Sequence, residues 1–540
     1  MDSETTMHRL SAVLIALLAT AMVWQFHDQT WWGPDEGAYA HIAERMLKGE
    51  VLNGSIYDLH LGLVHFIHAA AFKIFGTSMV GLRYPLALLT VIQCLLVLWL
   101  FRNQGWMVAM AGGISMVALT FVQFLNPSAN WYALFATVLL VAVTAWMPRE
   151  ARWRFAVLGA LVMTVFMLRQ LTGAFVAIGL ITYLLTEEEH RSAFSKPVLG
   201  RAILALCAVI LGVYLFKNAS FFSILMFGVW PIALIVTASG NCVMSDRAVI
   251  RMAGHMMLGA LMALAPLVIY HLSHGSLMTW IDDTLLTAFR LVSLPFIDKA
   301  SYLHLPLVFA GLSAEGLGPR SIVNGLFWMS LLMAPPILGW ITVKQSLNST
   351  GAPVLAHMAV FFGLVSVHYE IAVYLFYSVA LVQCGLLALS AAWSKRAQVT
   401  MACTTLLIAA VGLWSHAGQP LTRGLIGQVA GERTSVSKNA MDHRVGLRVA
   451  QKEQDFYQWL VPLIEKNSRR EDSILALPVN PELYFMTGRR NPTRFFNSAL
   501  GLRTPSEVQV LLSTLVIEPP ALESTRSNPL KEPGLASSTV

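Results

Sequence analysis

Thirteen apolar runs, most of them near membrane-spanning length, restrict the fold of this chain more tightly than any other feature. They fall at 10–26 and at about 80–101, 105–125, 129–147, 153–168, 172–186, 201–217, 219–237, 252–271, 322–343, 353–367, 371–393 and 398–415. A helix needs about 20 residues to cross a hydrocarbon core about 30 Å thick. Lipid offers no partner to a backbone amide, so runs of this kind satisfy their own hydrogen bonds as helices. Only 12% of the 540 residues are charged, against about 25% in soluble domains, which excludes a soluble globular, disordered or disulfide-scaffold chain. The reading is a polytopic α-helical membrane protein with about 13 transmembrane helices.

The first run follows Arg9 and leads into His27, Asp28, Gln29, Thr30, Trp31 and Trp32 with no small-residue cleavage site, so it is expected to be a retained span with an aromatic anchor. With the N-terminus cytoplasmic, 13 of the 22 Lys and Arg residues before position 417 fall on inner segments, as the positive-inside rule requires. The net charge of +7 is thereby explained by topology, and no nucleic-acid partner is inferred. Three long segments then lie outside: 27–79, 272–320 and everything after about 416. Six of the 18 acids before position 417 sit in the first of them.

The C-terminal segment changes character. Residues 417–540 carry 27 of the 67 charged residues. A helix-like stretch, Gly446 to Lys466, precedes strand-like runs at Ile474 to Leu477 and Leu511 to Ile517. Residues 1–416 are read as the membrane domain, 417–520 as a small α+β extracytoplasmic domain and 521–540 as a disordered tail. All five cysteines lie in spans or on the inner side, so no disulfide framework is available outside. There is no phosphate-loop, His-Glu-x-x-His or dinucleotide motif.

The strongest local feature runs from Gly33 through Pro34, Asp35 and Glu36 to Leu47, directly after the first span. Pro34 and Asp35 mark a helix start, with Asp35 able to cap free N–H groups and Glu36 favourable in the first turn. Ala38, Ile42 and Met46 share one face, which suits a helix lying in the membrane interface. A capped amphipathic helix is one reading; a general base held where membrane meets water is the other.

These residues carry a family resemblance. The Asp-Glu pair, a second helix ending Phe72-Lys73-Ile74-Phe75-Gly76, Gly81-Leu82-Arg83, and Leu168-Arg169-Gln170-Leu171-Thr172-Gly173 together resemble the GT-C glycosyltransferases. His368-Tyr369-Glu370, Ile474 to Pro478 and Leu483 to Phe495 extend the resemblance over nearly the whole chain. The branch it looks most similar to holds bacterial protein O-mannosyltransferases, the lipid A aminoarabinose transferase and rhizobial galacturonosyltransferases. The resemblance implies transfer of a sugar from a polyprenyl-phosphate-linked donor to a glycan, lipid or protein acceptor outside the cytoplasm, in a bacterial inner membrane. It places Asp35 at the catalytic centre with Glu36 beside it. Arg169 and Arg83 stand on the outer side, where a guanidinium fork suits a leaving phosphate, although either could instead snorkel from a span end. Lys73 is expected to be a solvated helix residue.

One departure stands out. Relatives often carry Asp-x-Lys-Pro-Pro-Leu in the first loop, whereas this chain has Asp58-Leu59-His60-Leu61-Gly62-Leu63. His60 therefore takes the place of a donor-phosphate lysine. His65 and His68 follow at helical spacing, so a metal site of Asp58, His60, His65 and His68 is an option. No cofactor follows with certainty. Tyr57, Asp58, Glu370, Tyr484 and Arg489 are further substrate-contact candidates, and Trp280, Asp282, Asp283, Arg290, Asp298, Lys299 and His304 lie in a loop that either covers the site or packs under the exported domain. The rival readings are a transporter or flippase for a lipid-linked sugar, and a non-catalytic relative that binds polyprenyl phosphate. A transporter should hold ionisable groups deep in its spans; here the acids concentrate at one membrane face.

Overall fold

In the computed structural model, residues 2–187, 197–287, 302, 319–348, 351–415, 417, 437, 440–502 and 504–525 are described. Ten helices among them are long and apolar enough to cross a membrane: Arg9–Phe26, Val80–Leu100, Trp106–Gln123, Ala129–Trp146, Val198–Asn218, Phe221–Gly240, Asp246–Ser273, Ile322–Leu347, Ala372–Ser390 and Lys395–Trp414. Three shorter apolar helices, Arg154–Leu168, Gln170–Leu184 and Val354–Val367, coincide with the remaining expected runs. The chain is a polytopic helical membrane protein.

Eight helices position the site: α1 (Asp2–Phe26), α2 (Gly33–Leu47), α3 (Leu63–Phe75), α4 (Tyr84–Leu100), α5 (Trp106–Ala118), α6 (Ala129–Trp146), α7 (Arg154–Leu168) and α8 (Gln170–Leu184). Two apolar cores hold them. The larger runs through the spans around Leu98, Val138, Leu180, Phe361 and Leu387. Between helices in lipid, close packing replaces the hydrophobic drive, and small residues permit it. Gly159 of α7 and Gly259 of the helix Asp246–Ser273 each lie against the other helix's backbone so closely that a Cβ would overlap Met256 or Ala156.

The second core joins α2 and α3 to the C-terminal segment through Ile42, Ala43, Phe72, Leu82, Tyr457, Tyr484 and Phe485. The helix expected to lie in the membrane interface also has protein partners on two sides. α2 is packed between α3 and the helix Pro481–Thr487, and His41, off the face shared by Ala38, Ile42 and Met46, is 3% exposed and stacked on Tyr484. Gly37 makes the approach possible, since a Cβ there would meet Glu482 N at 2.5 Å. Gly37→Ala is therefore expected to cost about 1–3 kcal/mol by overpacking, read as a lower thermal midpoint in detergent; an unchanged midpoint would show that the helices can separate freely.

In the C-terminal segment the expected helix is present at Gln451–Asn467 and the expected strand at Ile474–Leu477 (β1). The run Leu511 to Ile517 is helical, not a strand: it completes Pro505–Ile517, started by a capping box between Thr504 and Glu507. The partner of β1 is β2 (Leu522–Thr525), parallel to it and inside the stretch expected to be a tail. Arg290, Asp298, Lys299, His304 and residues 526–540 lie outside the described residues.

Candidate functional site

α2 begins without a side-chain cap. Asp35, expected to cap it, does not. Glu36 instead accepts the N–H of Trp32 at 3.1 Å, and it forms a two-pronged ion pair with Arg83, at 2.7 Å and 3.1 Å. Arg83 gives its remaining donors to the carbonyls of His27 (2.8 Å), Gln29 (2.8 Å) and Thr30 (2.5 Å). Both side chains are fully buried. Arg83 thus ties the end of α1 to the start of α2, and all five of its N–H groups are spent on protein acceptors. No donor remains on it for a phosphate.

With Glu36 turned inward, Asp35 is left on the opposite side of the first turn, open to solvent. Its Oδ2 accepts from Asn126 Nδ2 at 3.0 Å, and Asn126 belongs to the short connection between α5 and α6. The carboxylate is exposed yet closely surrounded by protein. Burial pushes its pKa up to about 6; the Asn126 hydrogen bond opposes this, Glu36 adds to it and His60 opposes it. A carboxyl poised near 6 is ionised at neutral pH and a stronger base than an ordinary aspartate. Asn126→Ala removes a bond that stabilises the ionised form, so the pKa of Asp35 should climb and the acid limb of any Asp35-dependent rate should move to higher pH. A pH–rate profile that does not move would separate Asn126 from the base.

The first loop brings a second group together. Asp58 Oδ2 lies 3.0 Å from His60 Nδ1 and 2.9 Å from His65 Nε2, and accepts the His60 N–H at 2.8 Å. Burial alone would raise the Asp58 pKa, but the charges and hydrogen bonds of the two histidines outweigh it and hold it well below the carboxylate range. For His60, burial favours the neutral ring, and Asp58 more than offsets it, so its pKa is raised. Gly62, at φ +113°, turns the chain into α3, where a Cβ would press on Leu52, and this turn swings His65 back toward Asp58. His68 does not join them: its Nε2 faces the Pro127 carbonyl at 3.1 Å. The four-residue set read from spacing therefore contracts to three whose ligand atoms lie within 4.8 Å of one another. Tyr39, one turn beyond Asp35, packs edge-on to His68 and beside His65.

Arg169 occupies the break between α7 and α8, in extended conformation. Its guanidinium lies 5.2 Å from the Tyr374 ring centre, with Nη2 3.4 Å from the Tyr374 hydroxyl, while Nη1 is buried with no partner among the described residues. Its charge acts on His60 and on His368. Gln170 holds the break to the first loop through the Leu59 carbonyl at 2.8 Å. Glu370 is buried; one oxygen accepts from Ser220 N at 3.0 Å and the other has no partner among the described residues.

Other candidates are placed elsewhere. Tyr484 is buried in the second core, its hydroxyl accepting from Ala476 N at 2.8 Å. Arg489 closes a turn of the C-terminal segment onto Ser468 and Thr487. Tyr57 packs against Phe495, with Arg494 over its ring. Arg494 pairs with Asp283, which also accepts from Asn53 at 3.1 Å, so part of the second long loop does pack under the C-terminal segment. Lys73 is exposed as expected. Asn126 and Tyr374 were missed by sequence reasoning, although Asn126 stands in the short gap between two apolar runs. An open cleft of about 440 Å³ lies away from Asp35, lined by Glu44, Lys48, Arg444, Arg470, Glu471, Gly488 and Arg490.

No family model matches the chain, and no curated protein matches it. Among solved structures, it is similar to the crystal structure of ArnT from Cupriavidus metallidurans bound to undecaprenyl phosphate, at 13% identity and a TM-score of 0.38, over 96% of this chain and 89% of that one.

Proposed function

We propose that the chain is a membrane glycosyltransferase that moves a sugar from a polyprenyl-phosphate-linked donor to a hydroxyl of a glycan, lipid or protein acceptor, with Asp35 as general base. The observation that carries this reading is the state of Asp35. Among the described residues it neither caps its helix nor pairs with a cation; it is exposed, and it accepts a hydrogen bond from the Asn126 amide with its pKa near 6. A carboxylate in that state has the properties a base needs.

In the proposed step, Asp35 takes the acceptor's O–H proton as that oxygen bonds to the anomeric carbon. The bond from the anomeric carbon to the phosphate oxygen breaks, and its electron pair leaves with the phosphate. Direct displacement inverts the anomeric configuration. A phosphate is already a good leaving group, so no strong general acid is required. Arg169 is suited to hold it: the buried Nη1, without a partner among the described residues, is a charged donor, and leaving such a group unsatisfied is costly. Glu36 and Arg83 hold α2 in place and so aim Asp35.

Arg169→Ala should raise the apparent KM for the lipid-linked donor by about 10-fold or more, the equivalent of about 1.5–3 kcal/mol for a charge-assisted hydrogen bond, with little change in acceptor KM. Steady-state rates of sugar transfer with each substrate varied in turn would measure this. An unchanged donor KM would remove Arg169 from the donor site.

A further inference from the structure

We propose that Asp58, His60 and His65 form a binding site for a divalent transition metal of the zinc class, with one coordination position left open for a ligand. One carboxylate oxygen and two imidazole nitrogens converge within 4.8 Å, and each comes from a backbone held by different means. The Asp58 carbonyl is fixed by Asn53 Nδ2 at 2.7 Å. The His60 backbone N–H is tied to the Asp58 carboxylate. His65 stands in the first turn of α3, after the Gly62 reversal.

Two imidazoles and one carboxylate are a ligand set suited to zinc and its neighbours and poor for magnesium or calcium, which take oxygen. In a tetrahedral zinc site the ligands lie about 2.0–2.2 Å from the metal and so about 3.3 Å from one another. The two nitrogens stand 3.0 Å and 2.9 Å from Asp58 Oδ2 and within 4.8 Å of each other, so a metal needs the hydrogen-bonded pairs to spread slightly and the two imidazoles to settle at the same tetrahedral spacing. It would replace the protons in those bonds. His65 and Asp58 are closed off, with side chains 0% and 9% exposed, whereas His60 is 34% exposed and provides an entry path. Three protein ligands leave a fourth position, as in zinc sites that bind a water or a substrate oxygen. His60 and Asp35 are near enough for their charges to interact, as are His60 and Arg169. A divalent ion held by one carboxylate and two neutral imidazoles keeps a net positive charge, so its open position suits an anionic oxygen, and on the reading of the chain as a polyprenyl-phosphate-dependent transferase this is an oxygen of the donor phosphate.

Purified full-length protein in nanodiscs, stripped with a chelator and titrated with Co²⁺, is expected to take up one equivalent and develop the intense visible bands of four-coordinate cobalt. Asp58→Asn and His60→Gln should lose both. His60 is part-exposed, so His60→Gln should keep the wild-type melting curve, and a loss of cobalt in that variant cannot be assigned to unfolding. His68→Gln, outside the trio, should retain the bands. Adding a short-chain polyprenyl monophosphate should shift them, and an unshifted spectrum would contradict the assignment of the open position. No stoichiometric uptake, or equal uptake by both Asp58→Asn and His60→Gln, would overturn the site. The two readings fail separately. Cobalt bound at the trio of a protein that transfers no sugar would leave the site standing without the transferase, and full transfer by stripped protein that takes up no cobalt would do the reverse.

Discussion

Asp35→Asn is expected to lower the rate of sugar transfer by about 10²–10⁴-fold, the usual worth of a positioned general base, with no loss of folded protein. Asparagine has the shape of aspartate, and its amide oxygen can still accept the Asn126 N–H, but it cannot take a proton from an attacking hydroxyl. Stability should be spared because, among the described residues, Asp35 closes no ion pair and caps no helix. Removing a charge from a closely surrounded position relieves a desolvation cost. The loss should therefore appear in kcat, with the donor KM nearly unchanged. Parallel thermal melts and initial rates separate the outcomes: a variant that melts like wild type and transfers at the wild-type rate would remove Asp35 from the chemistry.

Arg83→Met is expected to have the opposite profile, a severe loss of stability with no selective effect on donor binding. The substitution leaves the Glu36 carboxylate buried without its cation and strips donors from the carbonyls of His27, Gln29 and Thr30. Breaking one side of a buried pair typically costs about 3–5 kcal/mol, a large share of the roughly 5–15 kcal/mol by which native proteins are stable. Exchanging both partners for apolar residues is commonly far less damaging than breaking the pair, so Glu36→Leu combined with Arg83→Met should recover part of the loss. Melting curves and the yield of monodisperse protein report both effects. A stable Arg83→Met variant with a raised donor KM would instead return Arg83 to the phosphate role that the family resemblance implies.

The membrane helices were legible because the apolar pattern that makes a span is local and long. Even the short helices of α7 and α8 stand where the runs 153–168 and 172–186 were drawn. Leu511 to Ile517 was misread for the matching reason. A short run rich in leucine and valine fits either state, and the deciding signal was the Thr504–Glu507 capping box upstream. At the site, Asp35 and Arg169 stand out by position alone, each at a break beside an apolar run. The pairing of Glu36 with Arg83, 47 residues apart, has no local signature, and neither does the placement of Asn126 on Asp35. Periodicity grouped His68 with His65, since both lie on α3, but the reversal at Gly62 turns only His65 toward Asp58. Tyr484 and Arg489 were drawn into the site by the resemblance, while the structure spends their polar groups on holding the C-terminal segment together.

The central claim is that a polyprenyl-phosphate-linked sugar is the donor, and it is tested most directly by following both products of one reaction. Purified protein in nanodiscs is supplied with radiolabelled lipid-linked sugars and an envelope extract from the source membranes. Label is expected to pass to an acceptor while an equal amount of free polyprenyl phosphate appears, both steps failing together in Asp35→Asn. Label that remains on lipid phosphate with the wild-type protein, or moves equally well with Asp35→Asn, would contradict the account.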